Sequence, residues 1–481
     1  MFNKTLDIVY YIFLALIIFI GVIIRLKFFF MNPSLWNDES AVAWNILNKN
    51  YIELFQPLRF VQVAPPAFLI LIKFIVNLLH AQNNIWFCDL VMRTIPLIIG
   101  LTIPIIFYFL STKLLNSKLA IIIGLLFFTL NPILINYSYE LKPYIIDVLC
   151  TICILIVFLN IDLNNKKPSK LFYIGILLSI MPWFSFTSAI VLFAGFTIMS
   201  FYRENPKNYL ILSFPVLISV FLYLRIFIMN NYLANKDGMF AYWSGNFIEK
   251  NLSNLTSLNI HNMQYFFEDI PHLSYSIVTL LAIIGFILFI KDKKYRFLSI
   301  FIITLATVVI LSVLKIYPYY ERLVSFIIPF IILFTAKAFD IKNRILSSII
   351  FIFLTIPFFI LSINLLKMKE ISKQDYARQM MIIMSNKIEP EDTIVIGSES
   401  NIDFVYYNMF FKFKHNKIFM LKNREGKNLN FTLNNFSKGV YWLFISYGKN
   451  ADEYLKWAEN NSKILFNMNT KKCILTKILI D

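Results

Sequence analysis

Residues 8–25, IVYYIFLALIIFIGVIIR, are followed closely by Ser34-Leu35-Trp36-Asn37-Asp38-Glu39-Ser40. The first stretch is long and apolar enough to cross a hydrocarbon core of roughly 30 Å as a helix. The second sets two adjacent carboxylates at the membrane boundary, where a charge costs about 3 kcal/mol and tends to mark a polar cavity. A local alternative stands beside that reading. Asn37 or Asp38 could N-cap a helix running through residues 41–47, with Glu39 favouring its positive end.

The same pattern of apolar runs recurs along the chain. Of its 481 residues 58% are hydrophobic, 50 are Phe and only 12 are Gly, which identifies a polytopic α-helical membrane protein. The net charge of +17 is carried by short Lys/Arg clusters between apolar runs. Membrane orientation accounts for that placement and a nucleic-acid surface does not. Cys88, Cys150, Cys153 and Cys473 are scattered, and the Cys150/Cys153 pair inside an apolar run is read as helix packing. The first run lacks a small-residue cleavage site and is read as an anchor that stays.

Twelve apolar runs can be traced, near residues 8–25, 66–79, 89–111, 119–135, 144–160, 170–182, 186–202, 209–229, 273–290, 297–314, 322–338 and 345–365. The second is short and carries Lys73 in its middle, so it is expected to lie at the interface. With the N-terminus cytoplasmic, every inner loop is then basic: Lys113/Lys118, Lys166/Lys167/Lys170, Arg203/Lys207, Lys291/Lys293/Lys294/Arg296 and Lys337/Lys342/Arg344. The outer loop 230–272 holds only Lys236 and Lys250. Counting 66–79 as a span inverts each later loop against this bias, so about eleven transmembrane helices are expected. A first outer loop, 26–88, would carry Asp38, Glu39 and at least two surface-lying helices. It would face the junction 137–144, the loop 230–272 and residues 316–322.

After about residue 368 the apolar runs stop. TIVIG (393–397), KIFML (417–421) and GVYWLFIS (439–446) read as strands, and 375–385 and 451–460 as helices. The chain therefore divides into a transmembrane domain, residues 1–368, and a small C-terminal α/β soluble domain, residues 369–481. No Gly-rich phosphate loop, nucleophile elbow or zinc-binding spacing occurs, and His80, His261, His272 and His415 are scattered. No metal ligands are assigned; the sequence does not require a divalent metal, though one would be compatible with it.

The remaining polar residues collect on the outer side. Gln62-Val63-Ala64-Pro65-Pro66 fixes an extended approach to the interfacial helix. Arg93, at the outer end of a span, either snorkels to the interface or offers its planar fork to a phosphate. In Tyr137-Ser138-Tyr139-Glu140-Leu141-Lys142-Pro143-Tyr144, Lys142 runs against the charge bias. Asp147, a turn further on and on the same helix face as Tyr144, wants a partner that Lys142 or Arg93 could supply. Tyr320-Glu321-Arg322 opens a late span.

Taken together, Trp36-x-Asp38-Glu39, Gln62-x-x-Pro65-Pro66, Arg93, the Tyr-x-x-Glu-Leu-Lys-Pro-Tyr junction and Tyr320-x-Arg322 resemble the bacterial GT-C glycosyltransferases. The chain is similar within these to the protein mannosyltransferase-like group that includes the lipid A aminoarabinose transferases. The resemblance covers residues 1 to about 365, and the tail, with Asp392-Thr393-Ile394-Val395 before Tyr406-Tyr407, looks like tails of bacterial relatives. It implies transfer of a sugar from a polyprenyl-phosphate donor to a glycan, lipid or protein acceptor outside the bacterial inner membrane, usually with inversion. Asp38 would be the base, beside Glu39, which could also serve partly as a cap. Arg93, Lys142 and Arg322 would take the donor phosphate, and Gln62, Tyr144, Asp147 and Tyr320 would line the substrate. The aminoarabinose transferases have Glu-Lys where this chain has Val63-Ala64, and an acid where it has Lys142, so lipid A specificity is not implied. A lipid-linked sugar transporter or flippase would also place charges among helices, but its sites belong at mid-span between internal repeats, and none is evident. An inactive scaffold would not need the Asp38-Glu39 pair.

Overall fold

The computed structural model describes residues 2–201, 205–249, 252–270, 273–340, 344–369, 376–413, 416–421, 437–446, 451–470 and 473–480. His272, His415, Arg203, Lys250, Lys342 and the first residue of the expected helix 375–385 lie outside them. Each apolar run is helical. Helix α1 (Phe2–Met31) leads to α2 (Asn37–Asn48) and α3 (Pro66–Leu78), then α4 (Ile85–Met92), α5 (Thr94–Leu114), α6 (Lys118–Thr129), α7 (Pro132–Tyr137) and α8 (Tyr144–Asn160). The series continues as α9 (Pro168–Phe184), α10 (Ser188–Phe201), α11 (Pro206–Tyr223), α12 (Met229–Trp243), α13 (Leu252–Phe267), α14 (Tyr275–Lys291), α15 (Tyr295–Val313), α16 (Ile328–Lys337) and α17 (Arg344–Lys367). Among the described residues, four helical stretches are by length and composition able to cross a membrane: Asp7–Met31, Ile85–Leu114, Pro206–Asn231 and Tyr295–Val313. Phe19, Phe109, Leu177, Phe221, Ile283 and Phe359 point outward and exposed, as side chains bathed in lipid would.

Three runs break where the sequence supplies a reason. Pro96 cannot donate to the carbonyl one turn back, and the run 89–111 kinks at Arg93 between α4 and α5. Asn131 accepts from the Ile133 and Leu134 amides, capping α7 ahead of Pro132 and splitting the run 119–135. The run 322–338 opens as a 3₁₀ segment, Glu321–Ile327, before α16. Helix α3 lies against α2, and the buried Lys73 ammonium donates to the Ile46 carbonyl at 2.7 Å.

Hydrogen bonds sort the turns into two ends of the bundle. At one end Asn116 meets Asp292 and Asp340, Lys337 pairs with both of these carboxylates, Arg296 donates to the Ile161 carbonyl, and the Asn205 amide donates to Asn164. These are the turns that carry the basic clusters. The first loop and the junction 137–144 meet at the other end.

There the C-terminal residues also sit. Helix α18 (Ala377–Lys387), β1 (Thr393–Ile396), α19 (Asn401–Phe411), β2 (Lys417–Met420), β3 (Gly439–Ile445), α20 (Ala451–Asn461), β4 (Lys463–Asn469) and β5 (Ile474–Ile480) form an α/β unit. Its sheet has the order β2-β1-β3-β5-β4, parallel across β2, β1 and β3 and antiparallel thereafter. The three expected strands form the parallel half. The added pair β4/β5 and helix α19 complete it.

Candidate active site

Asp38 is the second residue of α2, which starts one position earlier than a cap at Asn37 requires and two earlier than a cap at Asp38. Trp36 is the N-cap, and the Glu39 carboxylate reaches back to accept from the Trp36 amide at 3.3 Å. Both carboxylates thus sit in the first turn, where the helix dipole favours them. Their environments then diverge.

The Glu39 side chain is 1% exposed and paired with Arg93. Arg93 Nε and Nη2 donate to its two oxygens at 2.9 and 2.5 Å, and the Leu141 amide donates to Oε1 at 2.6 Å. The remaining Arg93 donors go to the Pro33 and Ser34 carbonyls at 2.7 and 3.4 Å. The guanidinium expected to snorkel or to bind phosphate is instead committed to Glu39 and the loop before α2, from the break between α4 and α5 where Arg93 lies.

Asp38 is 22% exposed and faces a different pair of cations. Arg322 Nη2 lies 2.9 Å and Lys142 Nζ 3.9 Å from Oδ2, while Gln62 Nε2 donates to Oδ1 at 3.4 Å. Lys142 also donates to Gln62 Oε1 at 3.0 Å, closing a ring of three side chains, Asp38, Lys142 and Gln62, to which Arg322 is joined through Asp38. Burial pushes the Asp38 carboxyl up, but Lys142 and Arg322 outweigh it and hold the group below its ordinary value. Burial pulls the Lys142 ammonium down from its own ordinary value, with Asp38 opposing.

Backbone conformation aims these groups. Phe60 and Val61, immediately before Gln62, have φ of 64° and 54°, and Glu321, immediately before Arg322, has φ of 40°. Left-handed backbone at residues other than Gly costs roughly 1–2 kcal/mol each and persists only where its surroundings enforce it. Helix α13 does so at Glu321: Asn262 Oδ1 accepts from its amide at 2.6 Å and His261 pairs with its carboxylate at 3.0 Å. The junction carrying Lys142 is fixed from behind by Arg25, whose Nε donates to Ser138 Oγ at 3.1 Å. Gly100 on α5 allows the approach, since a Cβ there would fall 2.2 Å from that hydroxyl.

Aromatic rings form a collar around Arg322. Its guanidinium carbon lies 5.4 Å from the Trp36 ring, 5.7 Å from Trp243 and 5.9 Å from Tyr144. Tyr320 stacks on His261 at 4.6 Å beside Trp243, and Trp36 Nε1 donates to Glu140 at 3.2 Å. Of the residues expected to line substrate, Gln62, Tyr144 and Tyr320 therefore gather at this recess. Asp147 does not. It sits deeper on α8 and accepts from Ser185 Oγ at 2.6 Å, so neither Lys142 nor Arg93 is its hydrogen-bonding partner. Among the described residues no three His, Cys, Asp or Glu side chains converge as a metal site.

The arrangement reaches the level of overall architecture in known structures. The chain superposes on ArnT from Cupriavidus metallidurans in the apo state with a TM-score of 0.54 at 8% identity, covering 99% of this chain and 98% of that one. Against the same protein bound to undecaprenyl phosphate the TM-score is 0.53 at 10% identity, over 97% of both chains. This is the GT-C fold. A further match is the oligosaccharyltransferase AglB from Archaeoglobus fulgidus, in complex with an inhibitory peptide and a dolichol-phosphate. The TM-score is 0.51 at 13% identity over 85% of this chain, which spans only 64% of the AglB chain. No protein-family model matches the sequence, and a search among curated proteins returns no match.

Within the GT-C fold as this chain builds it, one carboxylate near the site comes from beyond residue 400. Asp403 on α19 is fully buried and accepts from Ser446 Oγ at 2.7 Å. Burial pushes this carboxyl up to about 7, the hydroxyls of Ser40 and Ser446 oppose the rise, and the charges of Asp38 and Glu39 add to it. The unfolded value is about 3.9. The native state thus holds an extra proton between the two values, and stability is lost as pH rises from about 4 to 7. In thermal scans from roughly pH 5 to 8, the wild-type Tm should fall relative to that of Asp403→Asn, which cannot titrate. Parallel curves refute the assignment.

Proposed function

We propose that the protein is a membrane glycosyltransferase that moves a sugar from a polyprenyl-phosphate donor to a hydroxyl of a glycan, lipid or protein acceptor, with inversion. The observation that carries this reading is the partly exposed Asp38 carboxylate, held by Arg322 and Lys142. The fold shared with lipid-phosphate-bound ArnT and AglB supports the donor class. The charge bias of the turns supports about eleven spans with the N-terminus cytoplasmic, and a transmembrane catalytic domain of residues 1–368 carrying an extracytoplasmic domain of residues 369–481.

The ion pairs suggest how the chemistry is timed. Without donor, the Asp38 carboxylate is ionised but neutralised by its two cations. A donor phosphate competes for those same cations, and as it takes them Asp38 loses its counter-charges and its affinity for a proton rises. It then accepts the proton of the acceptor hydroxyl as that oxygen forms a bond to the anomeric carbon. The bond from that carbon to the phosphate oxygen breaks, and the departing lipid phosphate carries the electron pair onto Arg322 and Lys142. A phosphate leaves without needing a general acid. Arg93 is reassigned from the phosphate to holding Glu39.

Mass spectrometry of envelope glycans, glycolipids and glycoproteins from cells lacking the protein tests the reading: one sugar should be missing, and restored by the wild-type gene. Movement of labelled lipid-linked sugar across proteoliposomes, with no new glycosidic bond, would instead establish a transporter. Arg322→Gln and Lys142→Met should each weaken binding of undecaprenyl phosphate in detergent by about tenfold or more, the loss of one charge-assisted contact. Unchanged affinity in both would remove the phosphate site from this recess.

A further inference from the structure

The five residues between α1 and α2 lead directly into Asp38, and four of their hydrogen bonds come from the far end of the chain. Arg378 Nη2 donates to the Asn32 carbonyl at 2.5 Å, and its amide donates to Ser34 Oγ at 3.2 Å. Ser34 Oγ in turn donates to Gln379 Oε1 at 2.6 Å. The Leu35 amide donates to the Tyr407 hydroxyl at 2.8 Å, and Asn37 Nδ2 to the Glu399 carbonyl at 2.5 Å. Behind this layer lies Asp89 on α4, with no exposed surface. It accepts from Arg378 at 2.6 Å, from Tyr406 at 2.7 Å and from Tyr407 at 3.0 Å, while the Arg378 guanidinium carbon lies 3.6 Å from the centre of the Trp86 ring.

The Tyr407 hydroxyl therefore has one acceptor and one donor partner, and each lies on the transmembrane side of the contact. A buried charged network of this kind is weak evidence for stability, since its desolvation offsets its attraction, and its best-attested use is to fix a register. A soluble domain that merely rode on the helical bundle would need only a surface contact. Here the register being fixed is that of the backbone two to six residues ahead of Asp38.

We propose that Tyr407, with Arg378 and Asp89, is a positioning residue for Asp38. On this view the C-terminal region is a working component of the active site, because it sets the distance from the carboxylate to its two cations. The inference rests on the reading of Asp38 as the base. Its physical content, that Tyr407 immobilises the loop, does not.

The test uses the purified full-length protein with Tyr407→Phe, which keeps the ring and removes only the bridging oxygen. Ser34→Ala serves as a second variant that leaves the Asp89 network intact in case the first fails to fold. Three readouts are needed: hydrogen exchange across residues 33–40, binding of undecaprenyl phosphate followed by tryptophan fluorescence, and restoration of the missing envelope sugar in cells lacking the protein. In the folded variants, exchange at 33–40 should quicken by about tenfold while α5 and α8 stay unchanged. Affinity for undecaprenyl phosphate should stay within about twofold, and sugar restoration should fall by about fivefold or more at equal protein level. That split between retained binding and lost transfer is not what a general loss of stability produces. Unchanged exchange at 33–40, or quickened exchange with full restoration, overturns the proposal. If the wild-type protein restores no sugar, the transferase reading fails and exchange alone decides whether Tyr407 holds the loop.

Discussion

Asp38→Asn is expected to lower sugar transfer by roughly 10²–10⁴-fold, the range for loss of a general base, while tightening the hold on undecaprenyl phosphate. Two opposite effects of one isosteric change make the result diagnostic. Asn cannot accept the acceptor proton, so the chemical step is lost. Yet Arg322, 2.9 Å from Asp38 Oδ2, and Lys142, 3.9 Å from it, are freed from the anion that competes with phosphate. Tighter phosphate binding with no transfer cannot come from unfolding. Transfer at the wild-type rate by purified Asp38→Asn would falsify the assignment of the base.

Arg93→Ala is expected to be the most destabilising single change in this region of the molecule. It strands the Glu39 carboxylate, 1% exposed, with only the Leu141 and Trp36 amides for hydrogen-bond partners among the described residues. Removing one member of a buried pair costs about 3–5 kcal/mol. Net stabilities of about 5–15 kcal/mol leave little margin for that, so the variant should be depleted in membranes and should melt far below the wild type. Removing both charges with Glu39→Gln and Arg93→Met should recover at least half of the loss, because the uncompensated charge is gone. A well-folded Arg93→Ala that fails only to bind undecaprenyl phosphate would restore the phosphate role expected from sequence.

Much of this architecture is legible in the residues. The apolar runs locate the helices, the basic clusters sort the turns into the two groups that the bundle brings together, and Asp38, Gln62, Lys142, Tyr144, Tyr320 and Arg322 converge as the motifs suggest. The role of Arg93 is not legible, because sequence shows a cation at a helix end without showing that Glu39, 54 residues earlier, folds back as its partner. Asp147 escapes for a related reason: its partner Ser185 begins a different helical turn, 38 residues away. Helix α19, NIDFVYYNMFF, is apolar on most faces and shows no clear period, so sequence does not set it apart from the strands around it. Its lone Asp403 in an apolar stretch is the available signal. The β4/β5 pair alternates polar and apolar residues only weakly, and its strands find their hydrogen bonds with each other and β3. Nothing local announces the Asp89 network, whose members are up to 318 residues apart.

The bond from the Leu35 amide to the Tyr407 hydroxyl spans 372 residues. A ribosome adding about 5–20 residues per second takes roughly 20 to 75 s to cover that distance. During that interval the loop beside Asp38 has emerged while Tyr407, Arg378 and Gln379 have not yet been made. Completion of these contacts therefore requires that the chain has been made at least as far as Tyr407 and that this stretch has reached the loop between α1 and α2. A chain stalled or truncated before residue 376 would leave this loop without its C-terminal partners, so on the proposed function such fragments should fail to transfer sugar.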